Sequence, residues 1–116
     1  CPGLGALRRR PEARWRRPPA DVGRLGGLQR GLLAAALDAT RAGGVVAYVT
    51  CSPHVAETRL VGGDGLRRRG DVEGLEATDA LRAVAPALEL GPGPHAQLWP
   101  HVHGTDAMHL SLLRRV

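Results

Sequence analysis

With 116 residues and 43% hydrophobic content, the chain is long enough for one small domain with a modest core and too short for several. Its 16 basic residues are all Arg and its net charge is +5, while no run approaches the roughly 18 apolar residues of a transmembrane helix. Two cysteines, Cys1 and Cys51, make neither a disulfide framework nor a zinc site of the CxxC type, and a reducing cytoplasm is the expected compartment.

Cys1 to Leu7 reads as a glycine-bearing turn, in which Gly3 and Gly5 permit close backbone approach. A lone GxG is weak grounds for a phosphate site. The stretch Arg8 to Arg17 is basic and holds Trp15. Its Arg8, Arg9, Arg10 and Arg14 suit phosphate oxygens. A polyanion partner and a merely solvated Arg-rich surface are both open readings. An isolated Trp15 is expected to pack under the loop as an anchor, with base stacking the alternative.

Asp21 is the expected N-cap of a helix from about Val22 to Arg41, with Leu25, Leu28, Leu32, Ala35, Ala36 and Ala39 on one face. Arg41 falls in its last turn, where a cation suits the dipole, and Gly43-Gly44 ends it. Val45 to Val49 is a strand, apolar on both parities, and so expected to be covered on both faces as in a parallel sheet. It delivers Cys51 to a loop at its carboxyl end, where open α/β sheets gather ligands. A second helix is expected over Pro53 to Arg69, capped by Thr50 or Ser52 and interrupted at Gly62, Gly63 and Gly65. Beyond it, Val72, Leu75, Leu81, Val84 and Leu88 are expected packing positions. Gly91 to Pro94 is a loop, Gln97 to Pro100 a short strand, His101 to Asp106 a polar turn, and Ala107 to Leu113 a half-buried final strand.

A thiol attacks as the thiolate, and a helix N-terminus or a nearby cation favours that form. Cys51, just ahead of the second helix, meets the first condition. The competing reading is a buried structural cysteine, which packs as a small hydrophobe. His101, His103 and Asp106 are close in sequence, but such a cluster more often forms a hydrogen-bonded knot than a metal site, and no metal is expected. No P-loop, HExxH, GxGxxG or Ser-His-Asp signature occurs.

Taken together, four segments resemble the RNA 5-methylcytosine methyltransferases of the Fmu/Sun type. Cys1-Pro2-Gly3-Leu4-Gly5 with Arg8-Arg9-Arg10-Pro11 is similar to the family's Pro-Cys motif. Leu28-Gln29-Arg30 opens a similar helix. Thr50-Cys51-Ser52, with Glu57 six residues past Cys51, is similar to the thiol motif. Leu98-Trp99-Pro100-His101 through Thr105-Asp106 is similar to the terminal motif. The resemblance implies an α/β fold, in which residues 1–116 are the C-terminal half of a Rossmann-like, S-adenosylmethionine-dependent methyltransferase sheet. It implies Cys51 as the nucleophile that adds to cytosine carbon-6 and Cys1 as the thiol that assists product release. It also implies 16S ribosomal RNA as substrate, with Arg8, Arg9, Arg10 and Arg14 on its backbone.

The chain departs from the family pattern in places. It starts at Cys1 rather than Met, Pro2 stands for a Ser or Thr, and Met108-His109 occupies positions that are usually aromatic. The family's glycine-rich cofactor loop has no counterpart here, so the cofactor-binding residues are expected upstream, and the 116 residues alone are expected to be an inactive monomer. The alternative reading is a non-catalytic basic RNA-binding module.

Overall fold

The computed structural model describes all 116 residues. In chain order the elements are α1 (Ala13–Arg16), α2 (Ala20–Ala39), β1 (Val45–Thr50), α3 (Arg59–Arg67), β2 (Val72–Leu75), α4 (Ala77–Val84), β3 (Ala96–Gln97), α5 (Pro100–His103) and β4 (His109–Arg115). Short 3-10 turns cover Leu4–Ala6 and Val55–Glu57. No helix is long and apolar enough to cross a membrane.

The architecture is mixed α/β, and β4, the last strand, is the centre of the sheet. It pairs with β1 along one edge and with β2 and β3 along the other, each time antiparallel. The parallel arrangement expected for β1 is therefore not found within this chain. Nor is β1 covered on both faces: Val45 and Val49 are 48% and 51% exposed and Ala47 is exposed with them, while Val46 and Tyr48 turn inward. The apolar character on both parities has a partner on one face only, because α2 and α3 both lie on that side.

The core is Leu33 and Leu37 of α2, Val61 of α3 and Leu113 of β4, with Val46, Tyr48, Leu66 and Val72 packed around them. The buried face of α2 thus runs through Gly26, Gln29, Leu33 and Leu37. The expected stripe is displaced around the helix, and its Leu28 and Leu32 are 58% and 62% exposed. Both stripes satisfy helical spacing, and the position of β4 selects between them. Asp21 lies inside the first turn, not at the cap, and is held by Arg24 at 2.9 Å. The other end of α2 is closed by a residue from β4: Arg115 Nη1 donates to the carbonyls of Leu37, Asp38 and Thr40 at 3.2, 2.9 and 2.9 Å. Those are orphan C-terminal carbonyls, and a cation from across the chain serves them in place of Arg41. Val84, expected to pack, is 79% exposed.

The expected second helix is a 3-10 turn followed by α3, which runs unbroken from Arg59 to Arg67 despite its glycines. Gly62 is buried on β4, where a Cβ would lie 3.3 Å from the Ser111 hydroxyl. A close helix–sheet contact, not fraying, explains the glycine there.

That contact covers a polar layer. The alternating residues of β4 that turn inward are His109, Ser111 and Leu113. The Ser111 hydroxyl sits 2.8 Å from His109 Nε2 and 2.9 Å from His95 Nδ1. One hydroxyl can donate to one ring and accept from the other, so two neutral imidazoles satisfy it. Burial pushes His109 down from its usual 6.5 to about 4, and the charges of His95 and Arg59 add to this. Between those values the unfolded chain binds a proton that the folded chain refuses, so stability falls as pH drops. We expect a loss of about 3 kcal/mol on going from neutral pH to below pH 4, read from urea midpoints. Unchanged or rising stability on acidification would show that the buried imidazoles do not control it.

Candidate active site

The carboxyl end of β1 carries Thr50 into the bend that holds Cys51, and the Cys1 loop lies against that bend. The Gly5 amide donates to the Cys51 carbonyl at 2.7 Å, and the Gly5 carbonyl accepts from the Ala107 amide at 2.8 Å. Three segments that are remote in sequence are thus joined backbone to backbone at one glycine. A Cβ at Gly5 would stand 2.1 Å from the Ala107 oxygen and 2.6 Å from the Cys51 carbonyl carbon. Only glycine fits.

Side chains lock the same junction. Asp106, nearly buried, accepts from Arg8 Nε at 3.1 Å and from Arg9 through Nε at 3.0 Å and Nη2 at 2.5 Å. The hydrogen bond from Arg9, reinforced by both guanidinium charges, holds the Asp106 carboxyl below the usual carboxylate range. Arg9 is raised in turn, chiefly by Asp106, and it lies near enough to Cys51 for a thiolate there to add to the effect. Cys51 therefore has a cation in its surroundings. The helix N-terminus expected beside it is displaced, since α3 begins only at Arg59. The 3-10 turn ahead of α3 is capped by His54, whose Nδ1 accepts from the Ala56 amide at 3.1 Å.

Beneath the thiol lies a buried carboxylate. Glu57 is fully buried and accepts from Ser52 Oγ at 2.6 Å and from Gln29 Nε2 at 3.0 Å. Its carbonyl accepts from the Tyr48 hydroxyl at 2.6 Å. Burial, and then the Glu57 charge, push that hydroxyl up to about 12, so it remains a donor at any physiological pH. Ser52 also accepts from the His54 amide at 3.1 Å. Each oxygen of the carboxylate is thus used, one toward α2 and one toward the residue that follows Cys51. The bend is held on both sides by buried hydrogen bonds.

Cys51 is half-buried, Cys1 is exposed, and both are free thiols. They open on the same groove of about 340 Å³, between the bare edge of β1 and α2, with Leu32, Val49, Thr50 and Gln29 on its walls. Gln29 Oε1 and Thr50 Oγ1 are buried there without a hydrogen-bond partner. A thiol at the end of an apolar groove with unspent polar atoms can receive a flat, polar-edged ligand.

Of the expected site residues, the structure brings Cys1, Cys51, Arg8 and Arg9 together. Arg10 and Arg14 stand further out, exposed and without an ion pair. His101, His103 and Asp106 do not converge. His101 is exposed beside Trp99, and His103 meets the Trp99 amide at 2.9 Å and the Glu89 carbonyl at 2.7 Å. The Asp106 clamp and the Gln29–Glu57–Ser52 network are absent from the sequence reading. Nothing local pairs Asp106 with arginines 97 and 98 positions away.

The model of the family described as 16S rRNA methyltransferase RsmB/F matches residues 1–114. The Mycobacterium tuberculosis protein named "Putative methyltransferase Rv1407" is 60% identical over 117 residues, covering 100% of this chain and 25% of that protein. The ribosomal RNA small subunit methyltransferase B of Thermus thermophilus is 44% identical over 116 residues, covering 100% of this chain and 27% of the relative. The crystal structure of PH0851 superposes with a TM-score of 0.87 at 25% identity, covering 99% of this chain and 25% of that one. The chain thus spans about a quarter of the length of the proteins it matches.

Proposed function

Because the chain belongs to the 16S rRNA methyltransferase RsmB/F family, we propose that it carries the thiol half of a cytosine-5 methyltransferase acting on 16S ribosomal RNA. Cys51 is the nucleophile and Cys1 the thiol that assists release. The observation that carries this reading is the joint: both thiols open on one groove, and the loop of one is bonded through Gly5 to the carbonyl of the other.

In this mechanism the target cytosine leaves its stack and enters the groove edge-on. The Cys51 thiolate forms a bond to carbon-6, and the displaced electron pair makes carbon-5 nucleophilic. The methyl group for carbon-5 would come from S-adenosylmethionine held outside these residues, which would keep the demethylated thioether as the leaving group. Carbon-5 then gives up its proton to water, the electron pair of that C–H bond reforms the carbon-5–carbon-6 double bond, and Cys51 leaves as the thiolate. Arg9 balances the thiolate charge at the start and end of this cycle. Ser52 and Glu57 keep the bend from moving while the bond forms and breaks. Arg10 and Arg14, with the exposed flanks of Arg8 and Arg9, contact the RNA backbone and supply affinity without sequence choice.

The cofactor is a different matter. The groove is lined by no carboxylate that would hold ribose hydroxyls and by no glycine-rich turn. These residues do not fit S-adenosylmethionine by themselves, and we assign its contacts to an upstream part of the same domain. Residues 1–116 are then the C-terminal part of a monomeric cytoplasmic enzyme. The bare apolar face of β1 and the exposed Leu28 and Leu32 support a neighbour of that kind.

The test is to trap the intermediate. RNA carrying 5-fluorocytosine cannot lose its carbon-5 substituent, so the enzyme stays attached. With the chain joined to the upstream part that its relatives carry, mass spectrometry is expected to map the attachment to Cys51. Attachment at Cys1, or RNA binding with no covalent product, would overturn the assignment, and the second result would favour a non-catalytic RNA-binding module.

A further inference from the structure

The residue least explained by the fold is Trp15. It was expected to anchor the loop, yet it is 80% exposed on α1 and packs on nothing in the core. Its neighbour in space is a cation: Arg14 Cζ stands 4.9 Å from the ring centroid. A guanidinium covers one face of an indole, and at this exposure the other face is open.

The charges around it are unspent. Most arginines of the chain make ion pairs, as Arg17 does with Asp21 at 3.6 Å. Arg10, Arg14 and Arg16, on the same basic stretch as Trp15, make none within 4.0 Å. An aromatic plate among free guanidinium groups lacks an anionic, flat partner, which describes an unpaired nucleotide. Its neighbour Arg14 faces the loops that carry the thiols. Arg14 also lines a cavity of about 540 Å³ whose other walls include Pro2, adjoining Cys1, and His54, three residues past Cys51.

Resting on the reading that RNA is the substrate, we infer that Trp15, backed by Arg14, is the stacking platform for an unpaired RNA base flanking the one that enters the thiol groove. Arg10 and Arg16 take the phosphates on either side of that base. Stacking is indifferent to base identity, so the platform sets affinity and strand path and leaves sequence choice elsewhere.

The chain has two tryptophans, so Trp99→Phe leaves Trp15 as its sole indole reporter. Titration with a short unstructured oligoribonucleotide is expected to quench Trp15 fluorescence. An abasic oligomer of equal length and charge should quench far less. Trp15→Ala is expected to weaken RNA binding about tenfold with the salt dependence kept, and Trp15→Phe to recover most of the loss. Trp15 is 80% exposed, so its removal takes nothing from the core, and circular dichroism checks the fold. Equal quenching by the abasic oligomer, no quenching at all, or unchanged affinity in Trp15→Ala would each overturn the platform. These results are separable from the methyltransferase reading: a Cys51 adduct with no role for Trp15 sinks only the platform, while Trp15 quenching without any adduct sinks only the chemistry.

Discussion

Cys51→Ala is expected to abolish methyl transfer and the covalent RNA adduct together, whereas Cys1→Ala is expected to let the adduct accumulate. Both are to be made in the chain joined to the upstream part of its domain. Without the Cys51 sulfur, carbon-6 has no nucleophile and carbon-5 never gains the electron density to take a methyl group. The expected loss is to background, several orders of magnitude, because nucleophile and activation are the same group. Removing Cys1 leaves the bond-forming steps intact and slows the separation of enzyme from product. Cys51 is half-buried and Cys1 exposed, so neither change removes core packing. Gel retardation under denaturing conditions reads the adduct, and transfer of a labelled methyl group reads turnover. Methylation at the normal rate in Cys51→Ala would end the assignment.

Gly5→Ala is expected to be as damaging to the site as the loss of a thiol, through structure instead of chemistry. The new Cβ would meet the Ala107 oxygen at 2.1 Å and the Cys51 carbonyl carbon at 2.6 Å. Both are backbone atoms, which cannot swing aside as a side-chain tip would. Relief requires the Cys1 loop to part from the thiol bend, breaking the bonds from Gly5 to Cys51 and from Ala107 to Gly5. We expect a stability loss of about 3 kcal/mol, with methyl transfer falling in step. Gly3→Ala is the control. Gly3 has φ 81 with open space around it. Its substitution costs only the left-handed backbone, about 1 kcal/mol. Urea midpoints separate the two, and a Gly5→Ala chain as stable as Gly3→Ala would show that the junction is loose.

The Glu57 network gives the glutamate six residues past Cys51 a structural task. The spacing from Ser52 to Glu57 is what one 3-10 turn needs to fold the carboxylate back beneath the thiol bend. Gln29 reaches the same carboxylate from α2. That makes it the buried polar member of a helix face whose other buried positions are apolar or glycine, Asp21 excepted. A polar residue in a core stripe is a visible signal, but its partner is not, since the contact spans 28 positions.

By itself, the sequence determined the longer elements and the chemistry-bearing loops, while β2, α4 and α5 were not assigned from it. α2, β1 and the final strand follow from local periodicity and glycine punctuation, and both cysteine loops are legible because their motifs are short and contiguous. Which stripe of α2 turns inward, that β1 pairs antiparallel with β4, and that β4 is central were decided by the tertiary structure. Each depends on partners at least a dozen positions away, and β1 with β4 on partners more than 50 away, which no local pattern encodes. The same holds at the thiols. The sequence offers two cysteines and a run of arginines. Only the folded chain sets Gly5 against Cys51, turns Arg8 and Arg9 onto Asp106, and leaves Trp15 exposed with Arg14 over its ring. Hydrogen bonds and charges act over a few ångströms of space whatever the length of chain between them, and the fold alone supplies that proximity.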